Sequence, residues 1–152
     1  MVPGGPKSVR ASETRLADLV LPSDANMYGS VFGGKILEMV DKAAAVCAMR
    51  HAGGPCVTVA MERVEFLIPI RLGSLISVEA RLNHAGRSSM EVGVEVYSEE
   101  VGRGERRHSN SCLVTMVAVD QKGKPTLVPR LRPESPEEKQ RYAAAQRRRA
   151  SR

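Results

Sequence analysis

The sequence predicts an α+β fold: an antiparallel β-sheet wrapped around one long central helix, followed by a basic C-terminal tail that is helical or disordered. Three observations predict it. Residues 33–51 carry helical periodicity at a length and apolarity suited to filling a core. Four segments between residues 56 and 120 either alternate with period two or are apolar on both faces, as strands do. The links between the last three are short and rich in Gly, Asn and Asp, the composition of turns.

Residues 1–12 are rich in Pro, Gly and Ser and are expected to be disordered. The folded domain is expected over 13–128 and the basic tail over 129–152. "TRLADLVLP" reads as a first strand ending at Pro22, and the loop "SDANMYGSVF" then leads to Gly33 and Gly34. In the helix that follows, a turn of about 100° per residue puts Ile36, Val40, Ala43, Ala44 and Cys47 on one face. Lys35, Glu38 and Lys42 gather on the opposite face. Asp41 belongs to neither group: its angular neighbours are Leu37, Ala44, Ala45 and Ala48, and no cation stands three or four residues away. It is either a rim carboxylate in water or one held beside a cavity that the small alanines leave open, and the helix alone leaves both readings standing. His51, at the helix end, reads as a C-terminal cap rather than a base.

"CVTVAMERVEFLIPI" alternates at Val57, Val59 and Met61, then resumes at Val64, Phe66 and Ile68. That one-residue phase change calls for a bulge near Arg63. "SLISVEARL" alternates at Ile76, Val78, Ala80 and Leu82, and "SSMEVGVEVYSE" at Met90, Val92, Val94 and Val96. "NSCLVTMVAVD" is apolar on both faces, as a central strand is. The four are expected in hairpin-like succession. Ser135 caps a last helix with Pro136 at its first position, running towards Ala150. A sheet of this kind leaves open edges, and edge-to-edge dimerisation is the natural remedy.

With 152 residues, 42% of them hydrophobic, the chain suits one globular domain. No apolar run is long enough to span a bilayer and no signal-peptide core opens the sequence, so a cytoplasmic protein is expected. Three cysteines are an odd number at no metal spacing, and no P-loop or Rossmann glycine pattern occurs. The net charge is +6; eight Lys/Arg against three Glu from Pro129 onward account for +5 of it. Such tails attract polyanions or simply keep a protein dissolved, and a solvated tail is the favoured reading. Aromatic residues are 3% of the chain and only Tyr142 falls in the tail, so no stacking platform for specific nucleic-acid binding is present.

Four segments, "LPSDANMYGSVFGGKILEMVDKAA", "VTVAMERVEFLIPIRLGS", "GRSSMEVGVEV" and "LVTMVAVD", resemble the acyl-CoA thioesterases of the hotdog superfamily, in particular the cytosolic acyl-CoA hydrolase group. They cover roughly residues 15–120. The resemblance implies the hotdog fold and hydrolysis of fatty acyl-CoA to free fatty acid and coenzyme A. Asp41 matches the catalytic acidic residue of the central helix, and Asn26 a polar residue that helps position water or substrate. Gly33 and Gly34 match glycines whose N–H groups face the thioester carbonyl, with Gly34 in the catalytic set and Gly33 in the substrate-binding set. Thr58 matches a substrate-binding position, and Arg87, Ser88 and Ser89 match a turn that meets the nucleotide of coenzyme A. Phe32 stands where many relatives have His, and Ser74 follows Gly73 where Asp is frequent. The resemblance implies no cofactor beyond coenzyme A as part of substrate and product. It also implies a homo-oligomer, a dimer at least and a hexamer as a trimer of dimers. The alternative is a non-catalytic hotdog protein that binds acyl-CoA or nucleic acid as a regulator.

The residue chemistry suits the first reading. A thiolate leaves readily because a thiol pKa is about 8.5, so a single carboxylate suffices, either activating water or attacking to form an anhydride. Unpaired N–H groups at a helix N-terminus offer an oxyanion site, and glycine lets a substrate approach.

Overall fold

The computed structural model describes residues 4–151. The elements in chain order are β1 (Lys7–Ser8), β2 (Thr14–Leu19), α1 (Gly33–Ala52), β3 (Cys56–Phe66), β4 (Leu75–Ala85), β5 (Ser89–Glu99), β6 (Arg106–Ala118), β7 (Leu131–Arg132) and α2 (Pro136–Ala150). Five strands form one antiparallel sheet in the order β2-β4-β5-β6-β3, and β1 pairs in parallel with β7.

α1 forms where the sequence predicts it and buries the predicted stripe. Ile36, Val40, Ala43, Ala44 and Cys47 are all buried, with Met39 and Ala48 beside them. They pack on Ile76, Val78 and Leu82 of β4, Met90, Val92 and Val94 of β5, and Val114 and Met116 of β6. Burying Ile36, Met39 and Val40 contributes about 1.5–3 kcal/mol each. That outweighs the roughly 0.5–1 kcal/mol that each of Gly33 and Gly34 costs a helix, so the core fixes α1 even with a loose start. Phe32 takes the N-cap position without a side-chain cap, and Gly53 ends the helix in the left-handed conformation at φ 80°.

The strands form as expected, but not all in hairpin succession. β4, β5 and β6 make a meander, whereas β3 lies beyond β6 at one edge and β2 lies beyond β4 at the other. Residues 67–74 therefore carry the chain across the sheet instead of turning tightly. The predicted break at Arg63 is present: the β3–β6 register shifts between Glu62 and Glu65, and Arg63 has φ 53°, the one non-glycine residue with positive φ among those described. A second shift lies between Thr58 and Ala60.

Both ends depart from expectation. Residues 7–12, expected to be disordered, are tied into the fold: Lys7 pairs with Leu131 and Ser8 with Arg132, a 3-10 turn follows over Arg10–Ser12, and Val9 and Ser12 are buried. The expectation for residues 1–3 lies outside the described residues. Lys7 also donates from Nζ to the carbonyls of His51 (2.9 Å) and Arg50 (3.4 Å), placing a cation on the C-terminal end of α1. His51 does not cap that end with its ring. The ring is fully buried, its Nε2 lies 2.8 Å from the Pro129 carbonyl, and burial holds its pKa below the usual histidine value. The basic tail is not simply solvated: α2 opens with the predicted Ser135–Glu138 capping box and packs against β4, with Ala145 buried and the Tyr142 ring 4.8 Å from that of His84.

Candidate active site

Asp41 lies two turns into α1, on the side that faces β3, and is partly exposed. Its partner is not a cation. Thr58 of β3 donates from Oγ1 to Asp41 Oδ1 at 2.6 Å. Among the described residues no cation pairs with Asp41, and its second oxygen has no hydrogen-bond donor. The carboxylate is thus held by one edge and open at the other.

β3 is oriented for this contact by its register. Thr58 stands opposite Met116, whose Sδ is 3.4 Å from the same hydroxyl, while its neighbours Val57 and Val59 turn outward and are 48% and 60% exposed. Met116 in turn pairs with Met90 of β5. Two interstrand spacings, about 10 Å in total, therefore separate Thr58 from the residue that follows Ser89. The 86–89 turn, with Arg87 exposed at its tip, closes the β4–β5 hairpin through Gly86 N–H to Ser89 O at 2.7 Å. Asp41, Thr58 and that turn consequently lie along one line across the sheet.

The start of α1 presents unpaired donors. Phe32 O accepts from Lys35 N and Ile36 N, but the N–H groups of Gly33 and Gly34 have no acceptor among the described residues. A Cβ on Gly33 would meet the Phe66 ring at 3.3 Å, whereas one on Gly34 would meet nothing within 4 Å. Gly34 thus faces open space. An apolar hollow of about 280 Å³ opens at Gly33, lined also by Val31, Ile36, Phe66, Ile68 and Ile70.

The preceding loop is held from both sides. Lys35 Nζ bonds Asp18 at 3.0 Å and lies 3.8 Å from Asp24; the first contact holds Asp18 below the usual carboxylate range. Asp24 accepts from Leu21 N, and its carbonyl accepts from Phe32 N. Asn26 Oδ1 accepts from Tyr28 N (2.9 Å) and Ser30 N (3.2 Å). These bonds use the carbonyl side of the amide and leave its NH₂ donors without an acceptor among the described residues. All of Asn26's bonds stay inside its own loop, so one chain brings Thr58 to Asp41 but not Asn26. The loop tip is unusually bare, with Met27 88% and Tyr28 80% exposed, and the exposed Phe66 and Val59 lie on the open edge strand β3.

Thr58's contact with Asp41 is the least visible in sequence, where only family likeness singles the residue out. Its signal was a lone hydroxyl between two valines on a strand. Arg149 of α2 was missed altogether: its Nη1 donates to Ser89 Oγ at 3.1 Å. Among the described residues no group of three or more His, Cys, Asp or Glu side chains converges, and no helix is long and apolar enough to cross a membrane.

Residues 28–105 match the model of the thioesterase superfamily. Protein VdlD of Helicobacter pylori is 40% identical over 134 residues, 88% of this chain and 76% of that protein. The cytosolic acyl coenzyme A thioester hydrolase of Rattus norvegicus is 34% identical over 139 residues, 90% of this chain but 36% of that longer protein. Among solved structures, an apo-hexameric acyl-CoA thioesterase superposes with a TM-score of 0.93 at 40% identity, covering 97% of this chain and 95% of the other. An acyl-CoA hydrolase from Staphylococcus aureus, solved with butyryl coenzyme A, coenzyme A and coenzyme A disulfide, gives 0.87 at 36% identity over 95% and 91%. Variants of the S. aureus enzyme replace one aspartate, one asparagine or one threonine with alanine. The asparagine precedes the aspartate by fifteen positions and the threonine follows it by seventeen.

Proposed function

This chain belongs to the thioesterase superfamily and is an acyl-CoA thioesterase, and we propose that it cleaves its substrate with the carboxylate of Asp41. The observation that carries this is the Thr58–Asp41 hydrogen bond, which fixes one carboxylate oxygen and leaves the other free. The free oxygen takes a proton from water as that water attacks the thioester carbonyl, or itself attacks to give an anhydride that water then opens. Either route expels coenzyme A as thiolate. The charge gathering on the carbonyl oxygen is met by the unpaired N–H of Gly34, where the absence of a side chain leaves room for the substrate, with Gly33 beside it. The apolar hollow at Phe66 and Ile68 suits an acyl chain.

Asn26, Asp41 and Thr58 stand fifteen and seventeen positions apart, the intervals of the three residues replaced in the S. aureus enzyme. That coincidence supports one constellation. The Asn26 NH₂ donors reach substrate or water in a site completed by a second copy, which the bare Met27–Tyr28 loop tip and the open β3 edge cover. Hexameric relatives support a trimer of such dimers, and relatives named as cytosolic support a cytosolic location. Arg87, Ser88 and Ser89 receive the nucleotide phosphates of coenzyme A.

Thiol release followed across acyl-CoAs of increasing length tests the reading. Turnover that vanishes in Asp41→Asn supports it; binding of acyl-CoA with no turnover at any length would favour the regulator instead.

A further inference from the structure

α2 is seated on the sheet by specific contacts, and they aim its last turn. The Arg148 guanidinium grips both carboxylate oxygens of Glu91, with 18% and 11% of the two side chains exposed, and Asn83 Nδ2 donates to the same carboxylate at 3.0 Å. Ala145 and the Tyr142–His84 ring contact hold the helix one and two turns earlier. Arg149 is thereby laid over the β4–β5 turn. Its Nη1 meets Ser89 Oγ, and its guanidinium covers Gly86 so closely that a Cβ there would fall 1.8 Å from Nη1 and 2.6 Å from Cζ.

Arg149 is exposed, and among the described residues no carboxylate pairs with it, because Glu91 is taken up by Arg148. Arg87 is exposed on the same turn, and among the described residues no carboxylate pairs with it either. With the Arg149 guanidinium over Gly86 and Arg87 the next residue along, this turn carries two positive charges, which favour an anion beside it. A hollow of about 290 Å³ opens beside Arg149 and Ser89, lined also by Val59, Thr115 and Val117 and by Glu91, whose carboxylate Arg148 grips.

We propose that Arg149 of α2 is a second phosphate ligand for the nucleotide of coenzyme A, acting with Arg87 and Ser89, so that the C-terminal helix sets the preference for coenzyme A thioesters over simpler ones. This rests on the acyl-CoA reading above. Guanidinium geometry suits it, since one edge donates to Ser89 while the remaining N–H groups stay free to fork onto phosphate oxygens.

Two variants test it. Arg149→Gln removes the charge, while Gly86→Ala keeps every charge and displaces the guanidinium from the turn, since Gly86 lacks a positive φ that would strain alanine. Each should raise the ratio of KM for butyryl-CoA to KM for S-butyryl-pantetheine about tenfold, the loss of roughly one charge-assisted contact. Calorimetry with coenzyme A and with 3′-dephospho-coenzyme A then identifies the phosphate. If the variants lose affinity for the first and not for the second, Arg149 reads the 3′-phosphate; if both fall together, it reads the pyrophosphate. An unchanged KM ratio, or equal changes on both thioesters, overturns the proposal and leaves Arg149 a structural residue. Should the wild-type protein hydrolyse neither thioester, the hydrolase reading fails, yet calorimetry still decides Arg149.

Discussion

Thr58→Val isolates the contact on which the proposed mechanism turns. Valine matches threonine in shape and removes only the hydroxyl that reaches Asp41 Oδ1 at 2.6 Å. A hydrogen bond to a charged group contributes about 1.5–3 kcal/mol. Thr58 lies exposed on an edge strand, so water replaces the lost donor and stability shifts by no more than about 0.5 kcal/mol. The loss falls instead on the orientation of the carboxylate in the transition state. At 1.36 kcal/mol per decade that is about a 10- to 150-fold fall in kcat. The assay is thiol release from a good acyl-CoA, with thermal unfolding of the same preparations. Thr58→Ser, which keeps the hydroxyl, should recover most of the rate. In a double-mutant cycle, Thr58→Val should cost nothing further once Asp41 is Asn, because there is no carboxylate left to orient. A Thr58→Val enzyme within twofold of wild type, or one that slows the Asn variant by the same factor, would refute this reasoning.

Asp41→Asn should cost about 10²- to 10⁴-fold in kcat as a lost general base, with melting temperature level or raised; a joint fall of both would mark a structural carboxylate. Gly34→Ala should leave stability level or up by about 0.4–1 kcal/mol, since nothing lies within 4 Å of the new Cβ, while activity falls at least about tenfold as the substrate's approach is blocked. Full activity in Gly34→Ala would move the carbonyl site elsewhere. Lys7→Ala should lower stability by about 0.3–1 kcal/mol, roughly 1–4 °C, by uncovering the last carbonyls of α1. Acid stability follows from His51 and His84, whose pKa values burial lowers in the fold, helped at His84 by Arg149. Lowered folded values mean that the unfolded chain binds more protons. The stabilisation is therefore complete above about pH 6.5 and is lost as pH falls below it. The melting temperature should drop as pH falls below about 6.5, and His51→Gln should flatten part of that slope.

The central helix and the meander were legible because burial writes a period into sequence. Ile36 through Cys47 and the valines of β5 each recur at the spacing of the face they bury. The Arg63 break was legible for the same reason, as a slip in that period. On β3 the period misleads: Val57 and Val59 alternate as a core face would, yet are exposed, and the residue that reaches α1 is Thr58, itself exposed. An edge strand awaiting a partner can carry apolar residues on either side, so alternation cannot say which side is in. The strand order was illegible because spacing shows where strands are and not which neighbours they choose. The seating of residues 7–12 and of α2 was hidden for a different reason. Both depend on long-range contacts, the β1–β7 pairing with Lys7 on His51 O, and Arg148 on Glu91 beside buried Ala145, between segments whose local composition reads as solvent-facing.

The β1–β7 clasp also orders events during synthesis. Lys7 leaves the ribosome early, yet its strand partner Leu131 follows 124 residues later, the difference between their positions. At roughly 5–20 residues per second the wait is about 6–25 s. Through that interval Val9 has no completed shelter, and the cation destined for the end of α1 hangs on an unanchored segment. The sheet and central helix must therefore hold together first, and the two ends close over them last. A chain stopped before Leu131 would keep the Asp41–Thr58 pair while leaving its N-terminal segment loose, open to proteases that the finished protein turns away.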